Sequence, residues 1–329
     1  MAVNVARYRA GESIGWAVVD GTMLRPIEGR YPTTAAFISD VADAVLAGDA
    51  PTAEPIALDG VSVLSPVTTN QQFLCQAINY RSHMEESGLD PETSPFNIFF
   101  RKASSCLAPA DTDIVVPAHV EFCDYEVEIG VVLRRTVSQP MTISPSNLSD
   151  HIAALVVVND ISARDVQLPE GQFYKGKSYR TFGPAGPWLT LVDADDLARF
   201  DELRLRLSVN GEVRQDGSAS EMIHKPAATL TELSTVQDWG PGDLLATGTP
   251  GGCALQAPPK PIATLVQAIS PKRRSALLRR SAARTTRRLV AGDVITTTIG
   301  TGDGTIDLGE QRTTVVADEG SYDVAHAGR

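Results

Sequence analysis

The sequence predicts an α+β fold that is mostly β, with a small N-terminal domain over residues 1–69 and a catalytic domain over 70–329. Two observations carry this. From about residue 70, short β-rich runs recur between turn residues: Phe73 to Ile78, Asn97 to Phe100, Asp113 to Val116, Tyr125 to Leu133, Ala154 to Val158, Trp188 to Val192 and Leu203 to Val209. Helical periodicity is scarce among them, which argues against a doubly wound parallel sheet.

The leading segment alternates weakly and holds one helical stretch, Thr33 to Ala47, with alanine and valine at helical spacing. Asp49-Ala50-Pro51-Thr52-Ala53-Glu54-Pro55 reads as a loop, and Leu64-Ser65-Pro66-Val67 marks the boundary. No chemistry is legible in this module. Further on, Asn210-Gly211 sits between Leu207-Ser208-Val209 and Glu212-Val213-Arg214, a strong hairpin signal. Gly242-Asp243 and Gly292-Asp293 each place a turn ahead of a strand.

Composition excludes several function classes. A net charge of −11 argues against a nucleic-acid partner, because phosphate binding needs a basic face. Cys75, Cys106, Cys123 and Cys253 form no C-x-x-C pair and are expected to be reduced, buried and structural. No apolar run approaches the roughly 18–20 residues needed to span a bilayer, and the start lacks the apolar core of a signal peptide. A soluble, cytoplasmic protein with no membrane partner is expected.

The chemistry begins at Asp124-Tyr125-Glu126-Val127-Glu128. In a strand, Glu126 and Glu128 share a face, and two adjacent carboxylates repel unless a cation lies between them. The run ending in Asn159-Asp160 adds a third carboxylate at a strand end. Three oxygen donors without clustered Cys or His suit a hard divalent ion such as Mg²⁺ or Mn²⁺, with Ca²⁺ also compatible. In Asn79-Tyr80-Arg81-Ser82-His83-Met84-Glu85-Glu86, His83 and Glu86 lie three apart, on one face of a helix. A carboxylate holding an imidazole raises its basicity and fixes its tautomer, as activation of water requires. A lone helical histidine is more often structural, and Thr247-Gly248-Thr249-Pro250-Gly251-Gly252 alone is more often a turn.

The order of the motifs is more specific than any one of them. N-Y-R-x-H-x-x-E, F-x-K, D-Y-E-x-E, N-D-x-S-A-R-D-x-Q, G-K-S, G-P-W, V-N-G-E and P-G-D-x-x-x-T-G-T-P-x-G resemble the fumarylacetoacetate hydrolase family across nearly all of residues 70–316. The resemblance implies a mixed, rolled β-sheet catalytic domain and a homodimer. It implies Glu126, Glu128 and Asp160 as metal ligands, and His83 with Glu86 on a mobile lid that activates water. Lys177 of G-K-S would contact substrate near the metal. Arg164 and Gln167 would hold the site together or touch substrate, and Thr249 would bond a substrate carboxylate.

The activity so implied is divalent-metal-dependent hydrolysis of a C–C bond in a β-diketone acid, an acylpyruvate or fumarylacetoacetate-like 2,4-dioxo acid, through a metal-bound enolate. The alternatives within the family are 2-oxo-acid decarboxylation, 2-hydroxy-dienoate isomerisation and sugar-acid dehydration at the same site. A nucleophilic serine or cysteine hydrolase lacks the G-x-S-x-G elbow, and Cys253 has no base assigned to it.

The departure from the family is a basic insertion over residues 254–289. Lys272, Arg273, Arg274, Arg279, Arg280, Arg284, Arg287 and Arg288 stand there with no acidic residue among them. Such a segment, as a basic helix, suits an anionic membrane surface or RNA, or pairing with acidic patches of its own protein or of a second subunit. The acidic remainder of the chain favours the intramolecular or solvated reading over a non-catalytic binding module.

Overall fold

The computed structural model describes residues 1–93, 96–255, 270 and 285–318. Its backbone is a long mixed sheet. The order runs Ile56–Ala57, Met23–Pro26, Ser13–Asp20, Val3–Ala10, Leu189–Leu191, Ile152–Asn159, Val127–Leu133, Leu244–Ala246, Phe73–Ala77, Ile98–Lys102. All these neighbours are antiparallel except Leu244–Ala246 and Phe73–Ala77, which run parallel. A second sheet orders Glu212–Ser218, Arg204–Val209, Val294–Gly300, Asp307–Ala317 and Ile114–Val116. The mostly β, mixed-sheet α+β class expected from the sequence is the observed one.

The strands of the leading segment extend the main sheet, because Val3–Ala10 pairs with Leu189–Leu191 on one side and Ser13–Asp20 on the other. The expected helix over Thr33–Ala47 is two helices, Thr34–Asp40 and Ala42–Ala47. The break falls at Val41, whose φ of −142° is not helical. Thr33 caps the first helix by accepting from Ala36 N, and Phe37 stacks on Trp16 with ring centroids 4.3 Å apart. That contact anchors the helices to the sheet.

Val127–Leu133 and Ile152–Asn159 are buried along their whole length, so their apolar runs serve two cores at once. Val127, Ile129, Val131 and Leu133 pack with Leu205, Leu207 and Ile295 of the second sheet. Val132 lies on the other face, in the core of Trp16, Phe37 and Phe73. The predicted hairpin forms as written: Asn210 and Gly211 both take positive φ, 52° and 80°, as a type I′ turn demands.

The four cysteines are free and buried. Among the described residues no helix is long and apolar enough to cross a membrane. Of the basic segment, Lys272, Arg273, Arg274, Arg279, Arg280 and Arg284 lie outside the described residues. Arg287 and Arg288 are described, and both donate to backbone carbonyls of this chain, at Gly252 and Glu121.

Candidate metal centre

The two central strands deliver the carboxylates. Glu128 is the second residue of Val127–Leu133, and Asp160 directly follows Ile152–Asn159. Glu126 stands one residue outside the strand in which the sequence places it. Cys123–Asp124 leaves the sheet to pair with Ser162–Ala163, so the chain jogs at Tyr125-Glu126 before entering the sheet. Two bonds hold the jog: Glu126 N donates to Asn159 Oδ1 at 3.0 Å, and Asp160 N donates to Glu126 O at 2.8 Å. The carboxylates of Glu126, Glu128 and Asp160 still converge, each offering an oxygen within 4.8 Å of the others.

Three cations surround them. Lys177 Nζ lies 2.6 Å from Glu126 Oε2 and 2.5 Å from Asp160 Oδ2. Lys102 Nζ donates to Asp160 Oδ1 and, at 2.8 Å, to Phe182 O. Arg164 donates to Asp124 Oδ2 at 2.9 Å, to Gln167 Oε1 at 2.9 Å and to Glu126 Oε1. All seven charged groups are buried, and four carboxylates face three cations. The uncompensated charge falls on Glu128, whose carboxylate, among the described residues, is bonded by the Gly248 N–H alone, 2.8 Å away.

The protonation pattern follows. Burial alone would raise Glu126, but Arg164, then Lys177 and His83, outweigh it and hold the carboxyl below the usual range. Burial pushes Glu128 well above that range, and the charges of Asp160 and Glu126 push it further. Burial works against the ammonium of Lys177, yet Asp160 and Glu126 keep it charged. This donor set fits a hard divalent ion: converging carboxylate oxygens, with one buried carboxyl short of a counter-charge.

His83 and Glu86 lie on the short helix Arg81–Glu86. A ring nitrogen of His83 reaches the neighbourhood of Glu126 and Cys253, with Nδ1 3.9 Å from Cys253 Sγ. Burial lowers the imidazole below its ordinary value, against the pull of Glu126 and Glu86. Glu86 does not bond the ring as the sequence suggests. Its Oε2 accepts from Gly252 N at 2.8 Å, while Ser82 Oγ accepts from Gly251 N at 3.1 Å. The helix is thus laced to the Thr247–Gly252 loop, and Glu86 bears on His83 through its charge.

A family model described as "Fumarylacetoacetate (FAA) hydrolase C-terminal" matches residues 72–316 of this chain, and one described as "Rv2993c-like, N-terminal" matches residues 5–66. The chain belongs to the fumarylacetoacetate hydrolase family. It is 31% identical over 252 residues to Protein Rv2993c of Mycobacterium tuberculosis, covering 76% of this chain and 89% of that one. The fold is similar to that of a 2-hydroxyhepta-2,4-diene-1,7-dioate isomerase from Mycobacterium marinum. That match has a TM-score of 0.69 at 23% identity and covers 97% of this chain and 100% of the other. It is also similar to a fumarylacetoacetate hydrolase from Exiguobacterium antarcticum, with a TM-score of 0.66, 24% identity, and 96% and 99% covered. Identities this low speak for the fold alone.

Membership in the fumarylacetoacetate hydrolase family makes the chain one of a set of enzymes with hydrolase and isomerase members that generally bind metal. Within that frame the structure gathers most of the residues singled out from the sequence and reassigns some of their contacts. The hydroxyl of Thr249 donates to Val127 O and accepts from Gln215 Nε2, each at 2.8 Å. Arg164 and Gln167 bond each other and brace Glu126.

Three residues with no role assigned from the sequence prove central. Lys102 is the lysine of the F-x-K motif, a signal present but unused. Asp124 takes Arg164 on one oxygen edge and the N–H groups of Ala254 and Leu255, at 2.8 and 3.0 Å, so it ties the start of the insertion to the site. Gln215, on the Glu212–Ser218 strand, accepts from Val127 N at 2.9 Å and donates to Thr249 Oγ1 and Pro250 O. Nothing local in the sequence marks Gln215, because its partners lie 88 and 34 residues away.

Proposed function

We propose that this chain is a divalent-metal-dependent hydrolase that cleaves the C–C bond of a 2,4-dioxo acid, with Mg²⁺ or Mn²⁺ held by Glu126, Glu128 and Asp160. The observation that carries the proposal is the pairing of opposite proton functions around Glu126. Near it stand an imidazole that burial keeps neutral and able to accept a proton, and Lys177, kept charged by two carboxylates. When bound, the divalent ion polarises the substrate's carbonyl oxygens and stabilises negative charge on the departing fragment.

The chain's own groups supply the rest. His83 takes a proton from water as the oxygen adds to the distal carbonyl. The bond between that carbonyl carbon and the adjacent methylene carbon then breaks. Its electron pair stays with the pyruvate fragment, which is protonated to pyruvate, and the distal fragment leaves as a carboxylic acid. Lys177 is positioned to offset negative charge on the reacting oxygens. Arg164, bonded to Asp124, Gln167 and Glu126, keeps the ligand Glu126 in place.

One observation favours a second reading, enolate chemistry without attack by water: decarboxylation of a 2-oxo acid, isomerisation of a 2-hydroxy-dienoate or dehydration of a sugar acid. Glu86 is spent on Gly252 N rather than on the imidazole, and these reactions need no activated water. A panel of acylpyruvates, oxaloacetate and sugar-derived diketo acids, assayed with Mg²⁺ or Mn²⁺ and with chelator, separates the readings. Acylpyruvate hydrolysis that His83→Ala abolishes, while any oxaloacetate decarboxylation survives, supports the first. Equal loss of both counts against it.

A further inference from the structure

His83, Glu126 and Cys253 form a second cluster of ligand atoms, one nitrogen, one oxygen and one sulfur within 4.8 Å of one another. The separation between two donors on a tetrahedral Zn²⁺ is a test of fit: Zn–S near 2.3 Å and Zn–N near 2.0–2.1 Å put sulfur and nitrogen about 3.6 Å apart. His83 Nδ1 and Cys253 Sγ are 3.9 Å apart. The supports around these donors are also in place. Gln215 Nε2 lies 3.7 Å from Cys253 Sγ, a contact in which its N–H would steady a thiolate. Gly251 and Gly252, the two residues before the cysteine, are bonded to Ser82 and Glu86 of the helix that carries His83. At Gly252 the backbone takes φ +105°, and a Cβ there would lie 2.1 Å from Arg214 O. The loop can present Cys253 to His83 only with glycine in that place.

We propose that His83, Glu126 and Cys253 are a second metal site of this protein, one that takes Zn²⁺ in preference to Mg²⁺. The three-carboxylate cluster offers only hard oxygen donors, whereas this one, which shares Glu126 with it, adds a soft sulfur and an imidazole, so the two sort ions by softness. The thiol of Cys253 is buried and protonated when free, and burial pushes its pKa well up, so it is no nucleophile beside His83. A bound Zn²⁺ changes this by displacing the thiol proton to solvent as the Zn–S bond forms, with no oxidation or reduction. The guanidinium of Arg164 does not oppose the ion with a bare charge, because Asp124 and Glu126 already match it. Zinc at this site occupies the ring nitrogen that would otherwise accept a proton, and so inhibits. That consequence rests on the role proposed for His83; the existence of the site does not.

Cobalt titration of the full-length protein tests the site without reference to turnover. Co²⁺ is expected to give a thiolate-to-cobalt charge-transfer band in the near ultraviolet, and Zn²⁺ to bleach it by displacement. Cys253→Ser should abolish the band and weaken zinc binding on the order of 100-fold or more, since losing a ligand costs at least as much as losing its supporting partner. Cys106→Ser, a buried thiol outside the cluster, should keep the band. So should Asp160→Asn, which removes a ligand of the carboxylate cluster alone. A missing band in the wild type, a band that survives in Cys253→Ser, or one lost in folded Asp160→Asn overturns the proposal. Zinc inhibition at saturating Mg²⁺, scaled to each variant's own zinc-free rate, should fall in Cys253→Ser. If the band is present and inhibition is unchanged, the site stands and the proton role of His83 falls.

Discussion

At Glu128 burial and neighbouring charge act on one group in the same direction. Its carboxyl holds a proton more tightly than an ordinary glutamate because it is buried beside Asp160 and Glu126. A divalent ion must displace that proton, so Mg²⁺ affinity is expected to rise as pH rises. Calorimetric titration in buffers of different ionisation enthalpy should show proton release on binding, and Glu128→Gln should remove both the release and the tight binding. His83 has the opposite sign. Burial favours its neutral form, so the acid limb of kcat/KM for the proposed hydrolysis should fall below the ordinary imidazole value of 6.5. His83→Ala should lower kcat by roughly 10²–10⁴-fold, the usual cost of losing a general base. A limb unchanged in that variant would assign it to another group.

The Arg204–Val209 and Glu212–Ser218 hairpin belongs to the second sheet, yet it reaches the site through Gln215. Gln215→Leu leaves the buried N–H of Val127 without a partner, which costs about 1–3 kcal/mol. It also frees the Thr249–Cys253 loop, so the variant should lose both denaturant midpoint and metal affinity. Gly211→Val is a control on the same element. It strains a left-handed turn position by about 1–2 kcal/mol and touches no site residue. Its midpoint should drop at unchanged metal affinity. Equal loss of affinity in both would show that the hairpin acts through general stability rather than through the Gln215 clamp.

Across the molecule, the leading segment and the strands that carry the ligands share one sheet. Val3–Ala10 pairs with Leu189–Leu191, which pairs with Ile152–Asn159, the strand that ends at Asp160. Trp16 and Phe37 lie in the same core as Val132, Val156 and Val158. Removing residues 1–69 exposes that core and leaves Leu189–Leu191 as an open edge. The truncated chain is therefore expected to aggregate or to unfold without a cooperative transition, as followed by circular dichroism and light scattering. A soluble, cooperatively folding 70–329 fragment that binds Mg²⁺ would refute this.

The mostly β class was legible in the chain because it depends on local order, and so was the choice of Glu126, Glu128, Asp160 and His83 as candidates, whereas Lys177 was marked by the family resemblance. β-branched runs and turn dipeptides set strands and hairpins, and motif spacing set the carboxylates. Asn210-Gly211 is the plainest case: two residues dictate a turn by their own backbone preference. Other features depended on residues far apart in sequence. Glu126 sits on a jog because Cys123–Asp124 pairs elsewhere; Glu86 bonds Gly252 rather than His83; Lys102 and Asp124 stand in motifs that do not name their partners, and Gln215 joins the site through contacts no local pattern encodes. The sequence determined which donors exist and on which elements. Only the tertiary structure decided which of them share a buried volume, because burial and charge neutralisation are properties of the packed site, not of any one segment.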